Sequence, residues 1–167
     1  MLRLKVMFLT LKKESKEVSR NLVPLLDVKV EGNKVVVSSD RNRRIEKRLF
    51  GTFKAHIRNM IKGLNEGFTY KLRISNVHFP MNASFDSNSG MFTVKNFLGE
   101  KVDRVIPLDK DVEVKVDKED VIVTSHDIEK AGNVATKIEK GTKVVGKDRR
   151  IYQDGIFIIE KPGRVYL

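Results

Sequence analysis

With 167 residues, 40% of them hydrophobic, the chain can build one ordinary domain or two small ones, which excludes a disordered polymer. Its 33 basic residues against 22 acidic ones give a net charge of +11, which points to an anionic partner: nucleic acid, acidic membrane or acidic protein. The absence of cysteine excludes disulfides, zinc ribbons and thiol catalysis, and no apolar run approaches the roughly 18 residues needed to span a bilayer.

The first segment, MLRLKVMFLTLKK, has an apolar core of only MFLTL and no small-residue cleavage site, so it is not expected to be a signal peptide. Next, DVKVEGNKVVVSS alternates apolar and polar residues around a short polar turn, the pattern of a β-hairpin ending at Ser39. RNRRIEKR, residues 41–48, brings five cations, and a helix follows with Phe50, Phe53, Ile57, Met60 and Leu64 on one face. Lys47, Lys54, Arg58 and Lys62 share its opposite face. FTYKLRISNV reads as a strand, and a domain boundary is expected after it, giving domains 1–76 and 77–167 with no Pro/Gly/Ser linker between them.

Later segments echo earlier ones. EVKVDKEDVIVTS repeats the first hairpin 86 residues on, with Val28, Lys29, Val30, Val35, Val37 and Ser39 recurring as Val114, Lys115, Val116, Val121, Val123 and Ser125. At a spacing of 83, Thr10, Lys12, Glu17, Pro24 and Leu25 recur as Thr93, Lys95, Glu100, Pro107 and Leu108. A second helix carries Ile128, Ala131, Ala135 and Ile138 on one face and aligns with the first at a spacing of 78, with Gly63 opposite Gly141. The expected fold is therefore α+β: a tandem duplication of a small domain of strands packed on one helix. Residues 41–48 are expected as an extra loop in the first copy. At a spacing of 83 nothing precedes Met1 to match HFPMNA, so the first copy is expected to be shortened at its N-terminus.

Catalytic readings fail on spacing or context. GTKVVGKD, 141–148, misses the nucleotide-binding pattern G-x-x-x-x-G-K-[ST] at Asp148, and it follows a helix where a phosphate loop should follow a strand. His56, His78 and His126 are not spaced to ligate a metal together, and no serine lies in a G-x-S-x-G elbow. Asp109, Asp111, Asp117, Glu119 and Asp120 have the spacing of a strand edge and a hairpin turn, and are expected as solvated acidic surface. No cofactor and no enzymatic activity is expected.

Charge is concentrated. Residues 1–67 carry 16 basic and 7 acidic side chains, residues 102–129 carry 4 and 9, and residues 130–167 carry 9 and 4. From the second helix, Lys130, Lys137 and Lys140 run into GKDRRIYQDG, 146–155, so that Lys143, Lys147, Arg149 and Arg150 extend one basic stretch with few acids nearby. The small residues Ala131, Gly132, Ala135, Gly141 and Gly146 are expected to leave room for another backbone. Membrane binding ranks low, because the apolar stripes are needed for the two cores. Charge alone leaves RNA against DNA open.

The segments KAHIRNMIKGLNEGFTYKLRISNVHFPMN, VKNFLGEK, AGNVATKIE and KDRRIYQDGIFIIEK together resemble the universal large-subunit ribosomal protein L-six family, called L-nine in eukaryotes. NFLGEK and DGIFIIEK give the resemblance an archaeal or eukaryotic character, and it runs from about Val28 to Lys161. The resemblance implies a structural, cytoplasmic constituent of the large ribosomal subunit that binds ribosomal RNA near the sarcin–ricin loop. It also implies contact with neighbouring ribosomal proteins at the stalk base, with translational GTPases docking nearby. RNA contact is then expected from Lys95, Lys101, Lys137, Lys140, Lys143, Lys147, Arg149 and Arg150, and secondarily from Arg41, Arg43, Arg44, Lys47, Arg48, Lys54, Arg58 and Lys62. KKES, 12–15, stands near the place of the family's G-P-K-G turn, which puts contacts through that turn in doubt.

Overall fold

A computed structural model describes residues 7–13, 16–22, 26–31, 34–39 and 43–166, in two compact units that divide between Glu66 and Gly67. In the first unit, β1 (Met7–Lys13) pairs antiparallel with β2 (Lys16–Leu22), and β3 (Asp27–Glu31) with β4 (Lys34–Ser38). The 23-residue α1 (Arg44–Glu66) follows. Its side chains recur every three or four positions, so one arc faces the hairpins. Phe53 and Ile57 pack with Leu9 and Leu26, while Met60 and Leu64 pack with Val18.

The segment expected as an extra loop is instead mostly helix. Arg44–Arg48 form the start of α1, and only 41 and 42 lie outside the described residues. Arginine, lysine, isoleucine and glutamate all tolerate helix, and Glu46 in the first turn complements the positive end of the helix dipole. Phe50, expected in the apolar stripe, is exposed; the run of buried apolar side chains begins at Phe53.

In the second unit, β6 (Asn82–Asp86), β7 (Met91–Lys95) and β8 (Arg104–Pro107) form an antiparallel meander. A larger sheet has the order β12-β11-β5-β10-β9, built from β5 (Phe68–Ser75), β9 (Glu113–Val116), β10 (Asp120–Ser125), β11 (Gly155–Lys161) and β12 (Arg164–Val165). The chain leaves β10, forms α2 (Ile128–Gly141) and returns as β11. β10 and β11 flank β5, and each pairs with it antiparallel, so they run parallel to each other as a βαβ unit split by one strand. Ala131, Val134, Ala135 and Ile138 of α2 are fully buried with Leu72, Val121, Val123 and Ile156 in one core, which also takes in Phe92, Val94 and Phe97.

The boundary differs from the expected one. Residues 67–75 belong with the second unit, because β5 is its central strand and exchanges hydrogen bonds on both edges. Strand pattern marks β5 as a strand but carries no signal for which sheet it joins. The expected room at the small residues of α2 is also taken. A Cβ on Gly141 would stand 2.3 Å from Cδ1 and 2.7 Å from Cγ1 of Ile106, and one on Gly132 would stand 3.0 Å from the Tyr70 hydroxyl. Ala131 and Ala135 are buried in the core, so among these residues only Gly146 has open space beside it.

The Gly141 contact is testable by thermal melting. Gly141→Ala should destabilise the chain by about 1–3 kcal/mol through overpacking. Adding Ile106→Val, which removes Cδ1, should recover part of that loss; an additive double variant would refute this account of the contact.

Candidate nucleic-acid interface

The stretch from the end of α2 to the start of β11 is pinned at both ends. At the helix end, Thr142 is buried; its hydroxyl donates to the Ile138 carbonyl (3.1 Å) and accepts from the Ile156 N–H (3.1 Å). Arg104 of β8 grips the same turn from another direction. Its Nη1 donates to the carbonyls of Gly141 (3.0 Å) and Lys143 (3.2 Å), its Nε and Nη2 hold the Glu100 carboxylate, and its guanidinium lies 3.8 Å from the centre of the Phe97 ring. The Arg104 hydrogen bonds hold the Glu100 carboxyl below its ordinary pKa.

At the strand end, register does the work. Gly155 pairs with Ser75, so Asp154 arrives beside the chain just leaving β5. Its side chain is 1% exposed, and Oδ1 accepts from the backbone N–H groups of Val77 (2.9 Å) and His78 (2.8 Å). Oδ2 lies 2.6 Å from the His78 ring Nδ1. Burial pushes the Asp154 carboxyl up, but the His78 and Val77 hydrogen bonds outweigh burial and leave it below the ordinary carboxylate value. His78 in turn stacks on Tyr152, with ring centres 4.8 Å apart, and Lys147 Nζ sits 4.4 Å from the centre of the Tyr152 ring.

Between these pins lies a cavity of about 650 Å³. Lys140, Lys143 and Arg149 line it, and none of the three makes an ion pair among the described residues. Of its two acids, Asp154 is held by Val77 and His78, and Glu139 turns Oε1 to the Ile158 N–H (3.2 Å).

The other expected contact residues divide by pairing. Lys137 is tied to Asp109 (3.2 Å), Lys95 lies 3.8 Å from Asp103, and Lys130 is bound to Asp111. Asp109, Asp111, Asp117 and Glu119 are exposed, as expected, but Asp109 and Asp111 also pair with α2 lysines, where a helix with few compensating acids was expected. The topology causes this, because the connection between β8 and β9 runs along α2. Arg150 is held by Asp148 through Nε, Nη2 and its backbone N–H, which lowers the Asp148 pKa and raises that of Arg150. Lys101 is exposed without an ion pair among the described residues.

Arg43, Arg44, Lys47, Arg48, Lys54, Arg58 and Lys62 are all exposed in the first unit; Lys62 reaches Glu66 at 3.9 Å, and Arg41 lies outside the described residues. Sequence reasoning missed Arg104, His78, Asp154 and Phe157. Neighbouring residues give no sign that Asp154 will meet His78, 76 positions earlier.

Two small α+β units, one of which gathers unpaired cations around a pinned loop, define a basic protein suited to polyanion contact. Residues 4–67 match the family model for ribosomal protein L6. The chain is 45% identical to the large ribosomal subunit protein uL6 of Methanococcus vannielii over 155 residues, covering 92% of this chain and 84% of that relative. It is 43% identical to the uL6 protein of Desulfurococcus amylolyticus, over 80% of this chain and 73% of the relative. It is 37% identical to that of Haloarcula marismortui, over 93% and 87%. The chain belongs to the ribosomal protein L6 family, whose members are structural and not enzymes.

The Asp154 clasp makes a stability prediction. A carboxylate with a lowered folded pKa stabilises the fold above its unfolded value of about 3.9 and loses that contribution as pH falls through the folded value. Asp154→Ala should cost about 3 kcal/mol at neutral pH, since buried N–H groups lose their acceptor. Asp154→Asn keeps one acceptor oxygen but cannot titrate. Denaturation curves should show the wild type losing stability below about pH 4 more steeply than Asp154→Asn; parallel curves would rule the clasp out as a titrating contact.

Proposed function

We propose that this chain is a structural constituent of the large ribosomal subunit in the cytoplasm, and that it binds large-subunit ribosomal RNA chiefly through the second unit. The reading rests on family membership together with one geometric observation: Lys140, Lys143 and Arg149 converge on one cavity without ion-pair partners among the described residues, while the neighbouring Lys137 and Arg150 are tied to Asp109 and Asp148. Phosphate oxygens can complete these three side chains without first breaking a protein ion pair. Arginine suits such a site because its planar fork takes two phosphate oxygens together.

The reading extends to place. The site lies near the sarcin–ricin loop and the stalk base, beside neighbouring ribosomal proteins and where translational GTPases dock. It extends also to origin. The order hairpin then helix occurs in both units, as β3–β4 with α1 and as β9–β10 with α2, which supports a tandem duplication. The exposed cations of α1 form a secondary RNA surface, with Lys95, Lys101, Lys147 and Arg150 as peripheral contacts of the main one.

Salt dependence tests this. Log affinity for large-subunit RNA should fall against log salt with a slope of roughly −0.7 to −0.9 per phosphate contacted. Arg149→Ala, Lys140→Ala and Lys143→Ala should each reduce that slope by about one unit with melting unchanged. Lys137→Ala and Arg150→Ala should change it less, because Asp109 and Asp148 already compensate those charges. Equal effects at all five positions would refute the division by pairing. Failure to co-sediment with large subunits through high salt would refute the ribosomal assignment.

A further inference from the structure

The geometry points to a nucleotide-binding role for the cavity: it seats one nucleotide extruded from the ribosomal RNA, base against Phe157 and phosphates on Lys140, Lys143 and Arg149. This rests on the RNA-binding reading above and adds a specific mode to it. A surface that only tracks a phosphate backbone needs cations and no cavity. Here the cations rim a concavity of about 650 Å³, inside the range of sites that enclose small organic ligands.

The walls suit a base. Phe157 lines the cavity and is 37% exposed, although it lies inside β11. Its ring is seated on the backbone of Gly155, where a Cβ would come within 3.0 Å of Cζ. At φ +150°, Gly155 occupies a conformation that side chains rarely adopt, so the bend and the seat for the ring are set together. Val144 supplies a second apolar wall and is buried. Tyr152 lines the cavity but already carries His78 and Lys147 against its ring, which fixes it as a wall and leaves Phe157 as the more exposed aromatic of the two.

Polar residues also line the cavity and can meet a base edge. Gln153 Nε2 donates to the Arg150 carbonyl (3.1 Å), which fixes the amide and leaves its oxygen as an acceptor, and Ser75 also lines the cavity. Splayed bases held by an aromatic face, an edge contact and a nearby cation are the usual target of sequence-specific RNA recognition. Of the acids in the lining, Asp154 has both oxygens held by Val77 and His78, and Glu139 turns one oxygen to the Ile158 N–H.

The test separates base from phosphate. The probe is an archaeal large-subunit RNA transcript bound to the full chain, with affinity measured across a salt series. Phe157→Ala should weaken binding by roughly fivefold to a hundredfold, the range for loss of one stacked base, with the salt slope unchanged. Phe157→Tyr should restore it. Arg149→Ala should instead change the slope.

Zero-length photocrosslinking of the wild-type complex should attach a nucleobase to the peptide spanning 152–157. Replacing that nucleotide by an abasic one should reproduce the Phe157→Ala loss and add nothing to it. The abasic measurement uses wild-type protein, so it stands even if Phe157→Ala unfolds. If abasic RNA binds as tightly as intact RNA while the wild type keeps its salt slope, the nucleotide seat is overturned and the phosphate contacts remain. A crosslink to a neighbouring protein in assembled subunits, with none to RNA, also overturns it. If the wild type binds no RNA, the broader reading fails with it.

Discussion

A buried carboxylate with three N–H groups around it governs the second unit's binding face. Asp154 is 1% exposed and catches Val77 and His78, residues that precede it by 77 and 76 positions. Leaving those N–H groups unpaired would be costly, so the contact forces the chain leaving β5 and the chain entering β11 to stay together. Much of the site follows from that union. His78 is brought to Tyr152, Tyr152 to Lys147, and the stretch from 143 to 154 is closed from the strand end while Thr142 and Arg104 close it from the helix end. A loop fixed at both ends presents its cations with little entropy left to lose on binding.

Charge in this unit is sorted as much as accumulated. A net charge of +11 gives attraction at a distance, but local pairing decides which cations can act. Asp109 and Asp111 hold Lys137 and Lys130 against α2, and Asp148 folds Arg150 back on its own turn. These exposed pairs contribute little stability. Their consequence is selection, since Lys140, Lys143 and Arg149 line the cavity without an ion pair among the described residues.

Much of the framework was legible in the sequence because it rests on local periodicity. Alternation marked the hairpins ending near Ser39 and Ser125, and spacings of three and four marked both helices, with the end of α2 placed at Gly141. GKDRRIYQDG follows the second helix, as the sequence implies, and lies between α2 and β11, where Asp148 braces Arg150. What escaped depends on distant partners. Whether β5 joins the first or second sheet is decided by edges supplied by β10 and β11, and the room at Gly141 is filled from β8 by Ile106. Residues 41–48 were misread for another reason. The drop in repeat spacing from 86 to 78 puts eight extra residues before the first helix and so suggests an inserted loop, yet arginine is a good helix former, and the helix takes most of them up by beginning earlier.

On the proposed reading, the two units would meet a polyanion in different ways. On α1, Lys47, Lys54 and Arg58 stand exposed on a regular helix, a surface that offers charge with no enclosing shape. Such a surface gains from any phosphate within reach and distinguishes little among sequences. In the second unit the same chemistry is set around a concavity whose walls are fixed by Gly155, Tyr152 and the Asp154 clasp. Charge on a fixed concave frame constrains register as well as strength, because a phosphate misplaced by one nucleotide would leave Arg149 or Phe157 without its partner. On that proposed reading the first unit would add affinity through phosphate contacts, and the second would fix where on the RNA the chain sits.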